Sequence, residues 1–283
     1  MIIDNLFINN NFTPNVMGKS EPLSDSIQLQ HHITQKKHMI IAFVNQKGGT
    51  GKSTSAIHLV YWLMQRGSVI LVDADAQNSS SVWAETLQMP FQIISDPEEI
   101  FDALPILAKE YDNVVVDGPG GMSEVSKAIL SRCDIALVPC QPSGLDLRSS
   151  NKTLRFINQA QELRQGVPKA FLYLNRATKG TILLRESRQV LAESDIPTLQ
   201  TVIYQRQCLA DAPGQNKTTF QMSGAMATSS ASEFDSLFTE AFSTAGIEMK
   251  NPATKRKSTR STKSTKTRAK SKPKSKSSKS KVS

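Results

Sequence analysis

Short apolar runs recur along the chain, each followed by a longer amphipathic segment. The runs are three to five residues long and lie at Ile40–Val44, Val69–Val72, Phe91–Ile94, Val114–Val116, Ile135–Val138 and Ala170–Leu174. Parallel strands that helices cover on both faces are apolar throughout, instead of alternating apolar and polar positions. We therefore predict that each run is a parallel strand buried on both faces.

Helical periodicity fills the intervals between these runs. The helical segments are Ser53–Arg66, Ser81–Leu87, Pro97–Lys109, Ser123–Ser131, Leu145–Arg164 and Ile182–Ala192. Repeated strand–helix order at this spacing predicts an α/β fold, a doubly wound and mostly parallel sheet with helices on both faces. A last amphipathic helix is predicted over Ser232–Ala245, after a stretch rich in Gly, Ser, Thr and Ala (211–232) that we expect to be a mobile loop.

Charge divides the 283 residues into an acidic body and a basic tail. The net charge of +9 arises from 34 Lys and Arg against 25 Asp and Glu, but residues 251–283 hold thirteen Lys and Arg and no acid. The first 250 residues therefore carry 21 basic and 25 acidic residues, a net −4. We predict three parts: a flexible leader (1–38), one globular domain (39–250) and a disordered tail (251–283) rich in Lys, Ser and Thr.

Composition excludes several protein classes. No apolar run approaches the ~18 residues that a membrane helix needs, and the amino-terminal segment lacks a basic region followed by an apolar stretch, so we expect no secretory signal. Three cysteines, Cys133, Cys140 and Cys208, are an odd number without metal-ligand spacing. They are typical of ordinary thiols in a reducing cytosol, so a cytoplasmic location is expected.

One motif carries chemistry, directly after the first predicted strand and before the first predicted helix. It consists of Lys47, Gly48, Gly49, Thr50, Gly51, Lys52, Ser53 and Thr54. Such glycines let several backbone N–H groups point at one phosphate, and the following helix amino terminus adds partial positive charge. Lys52 is placed to reach the β- and γ-phosphates, and the Ser53 hydroxyl is the expected Mg²⁺ ligand. The seven residues from Gly48 to Thr54 are predicted to bind the nucleotide.

The extra lysine, Lys47, together with the three glycines and Lys52, resembles the deviant Walker A motif of the ParA/MinD superfamily. Two further segments continue the resemblance over roughly residues 39–246. The segment 73–77 resembles the D-x-D-P-Q switch of that family, with Ala76 where Pro is usual. The segment 114–120 resembles its Walker B strand, and 202–207 is similar to a stretch of the short ParF-type partition ATPases.

The resemblance implies a P-loop NTPase fold, ATP and Mg²⁺ as cofactors, and a role for each matching residue. Asp75 matches the acid that orients the attacking water and the hydration of Mg²⁺. Asp117, at the end of a strand, matches the outer-shell Mg²⁺ carboxylate, and Ser53 is the direct metal ligand. Asn175 resembles the strand-end residue that hydrogen-bonds adenine. Lys47 matches the signature lysine that reaches across an ATP-dependent homodimer, so Lys47, Lys52 and Asp75 are the predicted catalytic residues.

Members of this superfamily serve different outputs, and sequence features separate them. MinD-like positioning needs a carboxy-terminal amphipathic membrane helix, and metallocluster ATPases need paired cysteines at the dimer face. The related tyrosine kinases have a carboxy-terminal tyrosine cluster. The chain lacks these features, so the resemblance favours an ATPase of plasmid or chromosome partition that a ParB-like adaptor stimulates. Positioning of a non-DNA cargo on the nucleoid and DNA tethering with vestigial ATP binding stay open.

Non-specific DNA contact is expected from basic side chains, and it would make the protein nucleoid-associated. A flexible segment of thirteen positive charges gains affinity for DNA by releasing counterions, although a solubility tail or anionic lipid binding stays open. Two helical stripes are weaker candidates, because three charges on a helix are often only solvated. These stripes are Arg148, Lys152 and Arg155, and Lys179, Arg185 and Arg188.

Overall fold

A computed structural model describes residues 38–121 and 123–249, and of residues 144–151 the backbone alone. The predicted leader and tail lie outside the described residues, apart from His38. The strands of these described residues are β1 (Met39–Asn45), β2 (Val69–Asp73), β3 (Phe91–Ile93), β4 (Asn113–Gly120), β5 (Ile135–Cys140) and β6 (Lys169–Leu174). They form one sheet in the order β3-β2-β4-β1-β5-β6, with parallel pairing throughout. The predicted doubly wound sheet is confirmed.

Helices pack on both faces of this sheet. Those of the described residues are α1 (Lys52–Met64), α2 (Ser79–Thr86), α3 (Pro97–Glu110), α4 (Glu124–Arg132), α5 (Gly144–Leu163), α6 (Ile182–Ala192), α7 (Gln207–Asp211) and α8 (Ala225–Thr244). Side chains of β1 alternate between two buried clusters because successive residues of a strand point to opposite faces. One cluster joins the sheet to α3, α4, α5 and α6, and the other joins it to α1, α2 and α8. None of the described helices is long and apolar enough to cross a membrane.

The prediction that every strand is buried on both faces is wrong for β3. Gln92 and Ile93 are exposed, and 51% of the Ile93 surface contacts solvent. β3 lies at the edge of the sheet and pairs only with β2, through three residues. An apolar run does not reveal whether its strand is central or at an edge, because the position in the sheet depends on topology.

The prediction of a mobile loop at 211–232 is also wrong. α7 ends at Asp211, a 3-10 turn occupies Thr219–Gln221, and α8 begins at Ala225, seven residues before the predicted start. Ala227 and Ser230 in the first turns of α8 are buried. Small side chains allow the helix to approach its neighbours closely, so residues that are typical of a loop here serve helix packing.

Candidate functional site

The phosphate loop lies at the carboxyl edge of the sheet, in its centre. It follows β1, which pairs with β4 on one side and β5 on the other. A cavity of about 980 Å³ opens above it, lined by the loop, by the ends of β2, β4 and β6 and by α7. Ligands of doubly wound sheets bind at this edge, where the strand connections diverge to opposite faces.

Side chains from the ends of β5 and β6 hold the loop backbone. Gln141 Nε2 and Arg176 Nη1 donate to the carbonyl of Gly49 at 2.7 and 2.8 Å. Asn175 Nδ2 donates to the carbonyl of Thr50 at 2.7 Å. These donors occupy carbonyl oxygens of the loop, and a loop whose carbonyls are turned to the protein offers its N–H groups to an anion.

Glycine is required at the end of the loop. Gly51 has a φ of +94°, which disfavours other residues. A Cβ atom added there would also lie 2.2 Å from Asn175 Nδ2. α1 begins at the next residue, Lys52, so the helix amino terminus faces the cavity.

Lys52 is buried beneath the cavity although it is charged. Its side chain is 6% exposed, and its Nζ donates to the carbonyl of Lys47 at 3.4 Å. Burial lowers the Lys52 pKa, and the nearby carboxylates of Asp117 and Asp75 partly offset this effect. A buried ammonium group beside a phosphate loop is suited to bind an anion that enters the cavity.

Asp117, near the end of β4, is fully buried, and neither of its carboxylate oxygens accepts a hydrogen bond from the described residues. Burial raises its pKa to about 7; the Ser53 and Ser80 hydroxyls and Lys52 act against this increase, and Asp73 adds to it. The Ser53 and Ser80 hydroxyls act here as nearby dipoles and not as hydrogen-bond donors, because both Asp117 oxygens lack a hydrogen-bond partner among the described residues.

A divalent cation fits this arrangement. Burying a carboxylate without partners is costly, and a cation with its water shell would satisfy both oxygens. Ser53, at the start of α1, places a hydroxyl near this carboxylate, and its role as a metal ligand stays a prediction. The described residues contain no group of three or more His, Cys, Asp or Glu able to hold a metal.

Asp73 and Asp75 organise the loop after β2. The Asp73 carboxylate accepts hydrogen bonds from Asp75 N at 3.1 Å and from Ser81 N at 2.7 Å, which fixes the start of α2. The Asp75 carboxylate accepts from Gln77 N at 3.0 Å and from Gly120 N at 3.2 Å. The two switch-like segments are thus connected directly, and Asp75 lines the cavity.

Asn175 is buried and fully engaged with the backbone around the loop. Besides its bond to Thr50, its Oδ1 accepts from Arg176 N at 2.9 Å, and its backbone N–H donates to Cys140 O at 2.8 Å. The side chain also lines the cavity. Its position beside Gly51 gives it a structural role in holding the loop, and contact with adenine stays a prediction.

A wall of the cavity comes from the segment that leads into α7. Arg206 donates two hydrogen bonds of 2.5 Å to the Glu233 carboxylate on α8, which also accepts from Tyr204 N at 3.2 Å. The side chains of Arg206 and Glu233 are only 7% and 17% exposed. This pair fixes the wall formed by residues 205–210 against α8.

The sequence predicts no role for Gln141, Arg176, Asp73 or the pair of Arg206 and Glu233. Three of these residues had a detectable signal, because Gln141 and Arg176 lie within two residues of a strand's carboxyl end and Asp73 is a strand's last residue. The pair had none, since 27 residues separate its members in the chain.

The predicted DNA-binding residues occupy different settings. Lys152 and Arg155 are exposed on α5, whereas the side chain of Arg148 lies outside the described residues. Lys179 lies before α6, with its Nζ 4.7 Å from the Tyr204 ring centroid. Arg185 and Arg188 are both exposed on α6. Arg188 donates a hydrogen bond to the carbonyl oxygen of Gln200 at 3.4 Å.

The three cysteines have free thiols. Cys133 and Cys140 are buried, and burial raises the Cys133 pKa to about 12. The thiol of Cys133 therefore stays protonated, as expected of an ordinary core cysteine.

Comparisons with known proteins agree with this architecture. Residues 41–220 match the model of the CobQ/CobB/MinD/ParA nucleotide binding domain. The maintenance of carboxysome distribution protein A of Halothiobacillus neapolitanus is 30% identical over 215 residues, 74% of this chain and 98% of that protein. The chromosome-partitioning ATPase Soj of Thermus thermophilus is 29% identical over 219 residues, 64% of this chain and 87% of that protein.

A solved structure also shares the fold. The ATP complex of a variant McdA from Cyanothece superposes with a TM-score of 0.59 at 16% identity, covering 75% of this chain and 98% of that one. The resemblance to ParA and MinD proteins that the phosphate loop indicated is confirmed. The chain belongs to the CobQ/CobB/MinD/ParA nucleotide-binding family, with the P-loop NTPase fold.

Proposed function

We propose that this protein is a Mg²⁺-dependent ATPase whose ATP-bound homodimer binds DNA non-specifically and distributes a cargo over it. The observation that carries the proposal is the juxtaposition of buried Lys52 with buried Asp117 beneath the phosphate loop. A buried cation and an unpartnered carboxylate are both costly without a ligand, and an ATP–Mg²⁺ complex satisfies both.

Each residue has a separate task in hydrolysis. The loop N–H groups and Lys52 hold the phosphates, and Ser53 and Asp117 hold the cation directly and through water. Mg²⁺ supplies neutralisation of the charge that develops on the phosphate oxygens. Asp75, held by Gly120, orients the attacking water. Lys47 would act from the partner subunit on the γ-phosphate, as the resemblance implies.

The proposed cycle depends on the dimer. ATP joins two subunits, the dimer binds DNA through the basic tail with help from exposed arginines and lysines, and an adaptor of ParB-like function triggers hydrolysis. Hydrolysis then separates the subunits and lowers their affinity for DNA, because a single subunit makes fewer phosphate contacts than the dimer does. The protein would consequently lie in the cytoplasm, associated with the nucleoid.

Two cargoes have specific support. Similarity to a carboxysome distribution protein over 98% of that protein's length favours a protein cluster or organelle. Similarity to the partitioning ATPase Soj favours a plasmid or chromosome. Imaging of the labelled protein in its own host distinguishes them: loss of the gene disperses the protein cluster in the first case and raises the frequency of plasmid-free or DNA-free cells in the second.

Turnover of ATP tests the enzymatic part. We expect Lys52→Ala to lower Mg²⁺-dependent phosphate release at least ~100-fold, because transition-state charge then lacks its buried cation. Lys109→Ala, which changes an exposed lysine of α3, is the matched control and keeps wild-type turnover. Failure of the wild type to turn over ATP with DNA and with host lysate would favour the alternative of DNA tethering with vestigial ATP binding.

DNA binding tests the switch. We expect ATP to increase the affinity of the wild type for duplex DNA, and Lys47→Ala to abolish this increase. A chain that ends at Lys250 should lose most of the salt dependence of binding, since counterion release scales with the number of phosphates contacted. Equal binding by Lys47→Ala and the wild type would contradict the ATP-dependent dimer, and an unchanged salt slope would contradict the role of the tail.

A further inference from the structure

A second cavity lies on the surface between α3 and α4. It has a volume of about 690 Å³ and is lined by apolar groups of Pro97, Phe101 and Ala128, by the carboxylates of Glu98, Asp102 and Glu124, and by Lys127 and Ser131. We call the first six of these residues the acidic groove. Phe101 is 41% exposed, so part of its ring is accessible to an occupant of the groove.

Carboxylates outnumber basic side chains around the acidic groove. Glu98, Asp102 and Glu124 line this cavity together with one basic side chain, Lys127. Two basic side chains approach the groove from α4, and both are engaged there. Lys127 pairs with Glu124 at 2.6 Å, and the Arg132 guanidinium lies 3.4 Å from the Phe101 ring centroid. Among the described residues, Glu98 and Asp102 are therefore the groove carboxylates that form no ion pair with a basic side chain.

The occupant that fits is the basic tail of this chain. Residues 251–283 hold thirteen Lys and Arg and no acid, which complements the acidic groove. Lysine also suits the apolar lining, because its methylene groups pack on aromatic surface while its ammonium group reaches a carboxylate or the ring face. DNA does not bind this groove, because its phosphates and the groove carboxylates are all negatively charged.

The tail is long enough to reach the groove. Its 33 residues extend at most about 110 Å, whereas a domain of this size has a radius of gyration of about 17 Å. Tethering on the same chain raises its effective concentration at the groove to the millimolar range. We propose that residues 251–283 bind the acidic groove of their own chain.

This binding would regulate the nucleotide switch. Ser95 and Ser123 precede the first turns of α3 and α4, and both line the nucleotide cavity. A tail seated in the acidic groove thus lies next to the mouth of that cavity. The tail cannot hold DNA phosphates with the same lysines, so the groove and DNA compete for it. This second step rests on the proposed function, whereas the docking itself does not.

Zero-length carbodiimide cross-linking of the full-length chain tests the docking. We expect amide links between tail lysines and Glu98, Asp102 or Glu124 in 50 mM salt, and their loss in 0.5 M salt because screening removes the attraction. Mixing isotopically light and heavy protein distinguishes the two geometries. In an equimolar mixture, links confined to one isotopic form support the proposal. Links between light and heavy chains that are as frequent as links within one form overturn it in favour of a second copy. Equal linking to the exposed acids Glu186, Glu193 and Asp195 overturns it as well.

A charge-neutral groove tests the competition. The variant Glu98→Gln/Asp102→Asn/Glu124→Gln removes the carboxylates, and Glu85→Gln/Glu193→Gln/Asp195→Asn, which changes three exposed acids elsewhere, is the control with equal charge change. If two thirds of the tails are docked, the groove variant should bind duplex DNA about threefold more tightly in low salt, whereas the control should bind like the wild type. Equal thermal unfolding of both variants establishes that the fold is intact.

The two experiments fail separately. Absence of groove cross-links contradicts the docking whatever DNA does. Groove cross-links without any DNA binding contradict the proposed function and leave the docking in place. Groove cross-links together with an unchanged DNA affinity of the groove variant contradict the competition.

Discussion

The carboxylate of Asp75 accepts a hydrogen bond from the backbone N–H of Gly120 at 3.2 Å. This bond joins the loop after β2 to the end of β4, and both segments line the nucleotide cavity. A change at one segment therefore reaches the other through a single carboxylate. In the proposed mechanism the same carboxylate orients the water that attacks the γ-phosphate.

We expect Asp75→Ala to lower ATP turnover on the order of 100-fold while nucleotide affinity changes less than about threefold. The carboxylate orients water in the transition state, and the phosphate loop that binds the nucleotide is left intact. Turnover by phosphate release and affinity by titration with a fluorescent ATP analogue measure the two effects. Asp195→Ala, an exposed acid beyond α6, serves as control, and equal losses of turnover in both variants would contradict the role of Asp75.

Gly51→Ala should weaken nucleotide binding and destabilise the fold by about 2–4 kcal/mol, from a positive φ and the overlap with Asn175. Gly180→Ala separates these causes, because Gly180 has a φ of +75° but open space around it. We expect it to cost only about 1–2 kcal/mol. Asn175→Ala has its own cost, because it removes the hydrogen bond to Thr50, so a real clash should make the double variant Gly51→Ala/Asn175→Ala less destabilised than the sum of the two single variants. Urea unfolding measures the wild type and the four variants, and equal costs at both glycines would exclude the clash.

His58 makes the stability of the fold depend on pH. Its ring is buried in α1, with Nδ1 2.7 Å from Thr54 O, and its Nε2 accepts from Thr219 N at 3.1 Å. Burial lowers its pKa from 6.5 to about 4, although the Thr54 carbonyl opposes this effect. Between these values the unfolded chain binds a proton that the folded chain does not, so stability decreases as pH falls from about 6.5 to 4.

We expect the unfolding free energy of the wild type to decrease by about 2 kcal/mol more than that of His58→Gln between pH 7 and pH 5. The comparison isolates His58, because both proteins retain Asp117, whose raised pKa acts in the opposite direction. Urea unfolding at the two pH values provides the measurement. Parallel pH profiles for the two proteins would show that His58 is not buried in its neutral form.

Glu233→Gln should release the wall of the nucleotide cavity. Breaking a largely buried ion pair leaves Arg206 without its partner, and we expect a loss of about 3 kcal/mol in unfolding free energy. We expect the KM for ATP to rise several-fold with kcat within twofold, since the wall binds and does not react. Glu124→Gln breaks an exposed pair with Lys127 and should cost about 0.5 kcal/mol or less. A Glu233→Gln protein with unchanged KM would disprove the role of the pair in nucleotide binding.

The sequence was sufficient for the order of the six strands, for the helices other than α7 and for the phosphate loop. These depend on local signals: apolar runs of strand length, and lysines and glycines at fixed spacing. Asp75 follows β2 and Asp117 lies near the end of β4, and both are at the edge of the sheet that holds the phosphate loop, because parallel strands end at the same edge. The comparisons confirm the family that this pattern indicated.

Contacts between distant segments were not predictable in the same way. The exposure of Ile93 depends on which strand forms the sheet edge, and the early start of α8 depends on the packing of Ala227 and Ser230. Asn175 matched an adenine-binding position, yet its amide holds Thr50, a partner 125 residues away. Such pairings depend on tertiary structure, so residue type and spacing along the chain do not predict them.

Gly118 illustrates how rigidly the site is set. A Cβ atom there would lie 2.7 Å from the carbonyl oxygen of Phe43, the residue paired with Asp117 across β1 and β4. Backbone touches backbone immediately beside the carboxylate, so the interval between Asp117 and the phosphate loop is determined by main-chain contact. Substitutions that repack the surrounding core can change the stability of the protein to heat or urea. The distance between Asp117 and the phosphate loop is then kept, because main-chain contact determines it.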